Sequence, residues 1–182
     1  SPISEGKHPI IHSVPAGKIV ETTYRSQKTM ITFCLMTCGE ETEKECLAAI
    51  ESFKDRIVLQ EVRNVTPQIT ALNQMLLQAE TDYLVPLDAD IILGPNALSR
   101  IECAVDKHRF DDKWHSILFP LYDTLTDRKI LALKVLRTKV MKEHLFRESA
   151  TPDVEHFRRL TESGYTCIQE YLVTDPIGKH IV

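Results

Sequence analysis

The sequence predicts an α/β fold with a mostly parallel central sheet and helices on both of its faces. Three observations predict it. Between Met30 and His108, strand-length apolar runs alternate three times with segments whose apolar residues recur at helical spacing. The second and third helical segments open through proline, at Pro67 and Pro95, a residue suited to a helix start because its missing N–H would be unpaired there anyway. The third apolar run ends in an Asp-x-Asp pair, Asp88 and Asp90. Ligands of such sheets gather beyond the carboxyl ends of the strands.

The elements follow in order. "MITFCLMT" (30–37) reads as a buried strand. In "EETEKECLAAIESF", Thr42 and Glu45 have capping-box spacing, and Cys46, Leu47, Ile50 and Phe53 form one helical face. "RIVLQEVRN" is a second strand. "TPQITALNQMLLQAE" is a helix with Thr66 as N-cap and Ile69, Leu72, Leu76 and Ala79 inward. "DYLVPLDADIIL" is the third strand, although Pro86 lacks a ladder donor and argues against a regular central strand there. "GPNALSRIECAVDKH" is the third helix, burying Ala97, Leu98, Ile101, Ala104 and Val105. This alternation requires crossover connections and therefore a parallel sheet.

The second half is different. "SILFPLYDTLTDRKILALKVLR" reads as two strands joined by a polar turn from Asp123 to Arg128, and "TKVMKEHLF" as a short helix. "TPDVEHFRRLTESGY" is a longer helix, capped by Thr151, opened by Pro152 and stopped at Gly164. The last stretch, "CIQEYLVTDPIGKHIV", reads as a strand and an ordered tail. Residues 1–28 are expected to be a tail, and 29–182 a single domain with halves at 29–105 and 106–182.

Composition narrows the function. The formal net charge is −4 with Lys and Arg scattered, which disfavours a nucleic-acid partner, since such binding needs many phosphate contacts. Small phosphorylated ligands stay open. The cysteines, Cys34, Cys38, Cys46, Cys103 and Cys167, are odd in number and form no Cys-x-x-Cys pair. They read as free thiols, with Cys34 and Cys38 buried, and suit a reducing, cytoplasmic setting better than a zinc site. No run reaches the roughly 20 apolar residues a membrane span needs, which leaves only peripheral membrane contact. "SPISEGKHPI" has no apolar stretch of the signal-peptide kind.

Four segments in this order resemble the GT-A glycosyltransferases of the inverting family-2 type. They are "MTCGEETEKECLAAIESF" after the first strand, "ITALNQMLLQAETDYLVPLDADIIL" with its Ala-x-Asn helix and Asp-x-Asp, "GPNALSRI" with Pro-x-x-Leu, and "LFRESATPDVEHFRRLTESGYTC". In the last of these, Asp153, Arg159, Leu160, Gly164 and Tyr165 keep the family's spacing. The likeness covers roughly residues 30–168. Pro152 stands where the family has the Glu of Glu-Asp, Leu72 replaces a frequent Arg, and no Gln-x-x-Arg-Trp occurs, which disfavours processive synthesis.

The resemblance implies a nucleotide-diphosphate sugar, UDP- or GDP-linked, as donor and a hydroxyl-bearing acceptor. It implies Mn²⁺ or Mg²⁺ on the diphosphate, with Asp90 as direct ligand, Asp88 assisting or holding the ribose, and His180 as a further ligand with Asp175 as its competitor. It makes Asp153 the general base; the first turn of a helix favours an ionised Asp whatever the chemistry. It sets Thr37, Cys38, Gly39, Glu40, Glu61 and Asn73 against the nucleotide, although Asn73 equally suits backbone groups between helix and sheet. On the acceptor side stand Tyr122 and Asp123, with Trp114 and His115 as a sugar platform or, alternatively, a structural pair. A non-catalytic nucleotide-sugar-binding domain is the main competing reading. A phosphatase of haloacid-dehalogenase type would carry Asp-x-Asp on its first strand, and a nucleotidyltransferase would want a basic, Gly-rich loop where this chain has "TCGEETEK".

Overall fold

A computed structural model of the protein describes residues 30–170 and 175–182; the expectation for the tail at 1–28 lies outside them. The elements are β1 (Ile31–Thr37), α1 (Glu43–Glu51), β2 (Ile57–Arg63), α2 (Gln68–Gln78), β3 (Tyr83–Asp88), β4 (Ile91–Leu93), α3 (Ala97–His108), β5 (Trp114–Asp123), β6 (Arg128–Arg137), α4 (Thr138–Glu143), α5 (Pro152–Glu162), β7 (Thr166–Gln169) and β8 (Gly178–His180). One eight-stranded sheet runs β2-β1-β3-β6-β5-β8-β4, and β7 pairs β5 beside that path. The pairs β1–β2, β1–β3, β5–β7 and β5–β8 are parallel, while β3–β6, β5–β6 and β4–β8 are antiparallel.

Strand alternation sorts the core into two layers. Ile31, Phe33 and Leu35 of β1 point to one face, where α1 and α3 pack through Cys46, Ile50, Leu98, Ile101 and Val105. Cys34 points to the other, with α2, α4 and α5 through Leu72, Met75, Leu76, Met141 and Leu160. Helices therefore cover both faces, as the sequence predicts. The α5 stop is a full Schellman motif: Tyr165 N–H donates to Leu160 O and Gly164 N–H to Thr161 O, with Gly164 at φ +88, where a Cβ would be strained.

Several local expectations are corrected. Thr42 stands at the N-cap of α1 but in αR geometry, and neither it nor Thr151 caps with its side chain. The helix α2 starts one residue later than expected, at Gln68, with Pro67 rather than Thr66 as its cap. "DYLVPLDADIIL" is two strands, because the chain turns at Ala89–Asp90 and sends β4 to the far end of the sheet. The C-terminal stretch supplies β8, which lies between β4 and β5.

Pro86 explains the centre of the sheet. The β3–β6 ladder pairs Tyr83 with Arg137 and Leu84 with Leu136, then ends. Continued in register, it would set Pro86 opposite Lys134, and Pro86 has no N–H to give. The strands part there while β3 stays paired to β1 through Asp88. The gap they leave is where the candidate site forms.

Candidate active site

Met36 and Asp88 are register partners in β1 and β3, so the loop after β1 and the turn after β3 emerge side by side at the carboxyl edge. Two cavities open there. The first, of about 200 Å³, is walled by the β1 loop (Thr37, Cys38, Glu40) and by Val62, Val65 and Gln68. The second, of about 80 Å³, occupies the gap beside Pro86, between Lys134 of β6, Asp153 of α5 and Asp88. Both include Met36, Gln68 and Asp88 in their walls, so they are adjoining parts of the candidate cleft. A further concavity, of about 760 Å³, lies at the opposite edge around Met30, Thr32 and Tyr83, the amino end of the strands, where α/β folds do not keep their sites.

The β1 loop is held by its own acids. Thr37 Oγ1 lies 2.6 Å from Glu40 Oε2 and 2.8 Å from Glu43 Oε2. Cys38 N–H donates to Glu40 and Gly39 N–H to Thr37 Oγ1. These bonds, Thr37's first, hold the Glu40 carboxyl below its usual range. Gly39 takes φ +95, which favours glycine. Since the Cys38 and Gly39 amides are spent within the loop, a nucleotide would meet its side chains and carbonyls. Cys38 is exposed, contrary to the buried thiol expected, while Cys34 and Cys46 are buried and their thiols pushed up to about 12, chiefly by that burial.

Beyond β3 the acids converge with the C-terminal strand. Asp88, exposed at the end of β3 where it lines both cavities, is held above the ordinary carboxylate range by lost hydration and then by the neighbouring Asp90 charge. Asp90 Oδ2 lies 3.3 Å from His180 Nε2, and His180 Nδ1 lies 2.7 Å from Asp123 Oδ1. Asp90 Oδ1 is buried with no hydrogen-bond partner, an orphaned anionic atom of the kind a cation satisfies. Among the described residues no three His, Cys, Asp or Glu side chains converge as a ready-made metal cage. That is compatible with a cation held by one or two side chains and completed by phosphate oxygens and water, the usual arrangement for Mg²⁺ on phosphates. Asp90 and His180 fit such a group, with Asp88 beside them. Asp175 instead lines a separate surface groove with Arg100 and Pro176.

Asp153 reaches the cleft because the chain before α5 is clasped at three points. Asn73 donates to Phe146 O at 3.0 Å and accepts from Phe146 N–H at 2.8 Å, Arg159 donates to Leu145 O, and His156 Nε2 lies 2.5 Å from His144 O. This corrects the ribose role expected for Asn73, since both ends of its amide are committed to backbone. Glu61 is corrected too: it pairs with Arg63 on the edge strand and is not part of the cleft wall. Trp114 is fully buried, stacked on Tyr83 with Arg137 over its ring and its N–H on His108 O. His115 is buried beside it. These two are structural and offer no sugar platform.

Lys134 escaped the sequence reading. Its Nζ lies 2.7 Å from Asp153 Oδ2. The available signal was positional: Ala132, Lys134 and Leu136 share one face of β6 and all line the smaller cavity, so a lone cation sits on an otherwise apolar, inward row.

Comparison with known proteins places the architecture. The mannosyltransferase PcManGT from Pyrobaculum calidifontis, solved in complex with GDP-Man and Mn²⁺, is similar with a TM-score of 0.60 at 16% identity, over 80% of this chain and 54% of its own. S. aureus TarS 1-349, in complex with UDP-GlcNAc, gives 0.60 at 14% identity over 84% and 58%. The 4-diphosphocytidyl-2C-methyl-D-erythritolsynthase from Anaerococcus prevotii gives 0.57 at 8% identity over 79% and 90%. The chain has the GT-A-like nucleotide-sugar transferase fold, as its resemblance implies. It spans little more than half the length of the two glycosyltransferases. No protein-family model and no curated protein matches it. No helix among the described residues is long and apolar enough to cross a membrane.

Proposed function

We propose that this domain transfers a sugar from a nucleoside diphosphate donor to an acceptor hydroxyl, with inversion at the anomeric carbon and assistance from Mn²⁺ or Mg²⁺. The adjoining pair of cavities carries the reading, because Met36, Gln68 and Asp88 stand in the walls of both. A donor laid along it, with its base against the β1 loop, would bring its diphosphate over the Asp-x-Asp turn and its sugar toward Asp153. Two structures of the same fold hold nucleotide sugars, GDP-Man and UDP-GlcNAc, which supports a donor of that class.

In this reading Thr37, Cys38 and Glu40 receive the nucleoside, Asp88 the ribose or a bound water, and Asp90 with His180 the cation. A divalent cation there supplies Lewis-acid stabilisation of the departing diphosphate. Asp153 accepts the proton of the acceptor hydroxyl as its oxygen bonds to the anomeric carbon. The bond from that carbon to the diphosphate breaks, and its electron pair leaves with the phosphate oxygen. Nucleotidyl transfer, which the Anaerococcus relative's name indicates for that protein, suits this chain less well. The loop after β1 is acidic, through Glu40 and Glu43, where a triphosphate would want cations.

Calorimetry with UDP, GDP and their sugars, with Mn²⁺ or with EDTA, tests the reading. Metal-dependent binding, abolished by Asp90→Ala in a folded protein, is expected; binding indifferent to EDTA removes the cation. Asp153→Asn separates enzyme from binding module. It should keep donor affinity and lose roughly 10²–10⁴-fold in transfer, the usual contribution of a general base.

A further inference from the structure

We propose that Asp123 is a positioning residue whose carboxylate fixes the His180 ring so that the Nε2 lone pair, beside Asp90, is presented to the divalent cation. The inference rests on the metal-assisted reading above and deepens it.

Asp123 ends β5 and is only 5% exposed. Its Oδ2 accepts from Thr126 N–H at 3.0 Å and from the Thr126 hydroxyl. Its Oδ1 faces His180 Nδ1 at 2.7 Å. An ionised carboxylate only accepts hydrogen bonds, so the proton of that contact sits on Nδ1. In the neutral ring Nε2 is then an electron-pair donor, and it points at Asp90 Oδ2, 3.3 Å away. A second ring proton bridges this contact at low pH, since burial, which lowers the His180 pKa, is outweighed by the bonds to Asp123 and Asp90, which raise it. In the neutral ring two acceptors face one another, the setting a divalent cation satisfies. The unpartnered, buried Asp90 Oδ1 needs one as well.

The arrangement is built into the sheet. Asp123 and His180 are register partners in β5 and β8, and Ile91, next to Asp90, is the partner of His180 across β4 and β8. Thr124 N–H and Oγ1 both donate to His180 O, and Ile181 N–H donates to Asp90 O. His180 is thus held from both sides. A carboxylate behind a metal-binding imidazole sets its tautomer and raises its basicity, and its loss typically costs 10–100-fold in metal affinity.

The test is Mn²⁺ binding followed by electron paramagnetic resonance with saturating UDP or GDP, in the wild type, Asp123→Asn, Thr126→Val and His180→Ala. Long-range ¹H–¹⁵N spectra of the metal-free protein report the His180 tautomer. At a pH above the raised His180 pKa, the wild type should show Nδ1–H alone. Asp123→Asn, whose amide can turn an N–H toward Nδ1, should shift the ring toward Nε2–H and weaken Mn²⁺ binding 10–100-fold. Thr126→Val, which keeps the carboxylate but loosens it, should weaken binding a few-fold, and it carries the comparison if Asp123→Asn does not fold. Wild-type Mn²⁺ affinity in Asp123→Asn, or an Nε2–H ring in the wild type, overturns the proposal. Loss of metal in His180→Ala alone would overturn it while leaving the cation reading intact. Equal Mn²⁺ binding in His180→Ala and wild type would instead remove His180 from the cation site, and Asp123's role with it.

Discussion

Lys134 Nζ stands 2.7 Å from Asp153 Oδ2, bridging β6 to the first turn of α5 across the wall of the smaller cavity. The pair leaves Asp153 Oδ1 free, and Lys134 also stands over the Phe157 ring at 5.5 Å. Asp88 and Asp153 line the same cavity as Lys134, so in the proposed reaction Lys134 would meet a donor phosphate while holding Asp153.

Lys134→Met should therefore affect transfer far more than stability. The pair is partly solvated, with side chains 28% and 58% exposed, and such bridges are worth about 1 kcal/mol or less. Transfer should fall at least about tenfold, the equivalent of one lost charge-assisted hydrogen bond. Thermal melts and initial rates on the same preparation check it. A large drop in melting temperature with unchanged turnover would make Lys134 a structural strut.

Pro86→Val restores an N–H at the point where β3 and β6 separate. The ladder, which stops at Leu84 and Leu136, should extend toward Lys134 and narrow the cavity beside it. The expected result is equal or greater stability, with weaker donor binding and slower transfer. Hydrogen exchange at Lys134 and Val135 reads the ladder directly. Unchanged exchange together with unchanged donor binding would mean that Pro86 does not hold the gap open.

How far the sequence foretold this site depends on which residues are considered. The β1 end and the Asp-x-Asp were legible because strand-to-helix switches mark the carboxyl edge where they lie, whereas Asp153 in the first turn of α5 came from the family resemblance alone. The path of the chain after Asp90 was not. Period-2 alternation in "DYLVPLDADIIL" does not reveal a turn at Ala89–Asp90, nor a strand of three residues crossing to the far edge. The pairing of β8 with β4 and β5 is likewise a long-range register that no local pattern encodes. For that reason Asp123 read as an acceptor-side residue, although it backs His180. Glu61 and Asn73 fit the nucleotide by position alone; Glu61 pairs with Arg63 two residues along the same strand, and the Asn73 partner, the Phe146 backbone, comes from the other half of the chain.

Cys38 offers a labelling test of the nucleoside pocket proposed at the β1 loop. It is exposed and lines that cavity, whereas Cys34 and Cys46 are buried with thiols raised to about 12. Brief treatment of the native protein with a maleimide should modify Cys38 and the exposed Cys103, and spare Cys34 and Cys46. UDP or GDP with Mn²⁺ should slow labelling at Cys38 and not at Cys103, as peptide mapping will show. Equal protection at both sites, or at neither, would dissociate the β1 loop from nucleotide binding.

His115 gives the fold a dependence on pH that is separate from the site. Its side chain is fully buried, packed edge-on to Phe157 at 4.9 Å, and neither ring nitrogen has a hydrogen-bond partner. Burial, and secondarily His156, lowers its pKa from 6.5 to about 4. The unfolded chain therefore binds a proton near pH 6.5 that the folded protein refuses until about pH 4. Stability from this residue is complete above 6.5 and is lost as pH falls toward 4, by up to roughly 3 kcal/mol. The neighbouring His156, also lowered, chiefly by burial, adds in the same direction. His115→Leu removes one titrating group and two unpaired nitrogens at similar volume. Urea unfolding at pH 8 and pH 5 should thus show a smaller loss in the variant than in the wild type, the difference being of order 1–3 kcal/mol. Parallel loss in both proteins would mean that His115 takes up its proton in the folded state as readily as in the unfolded one.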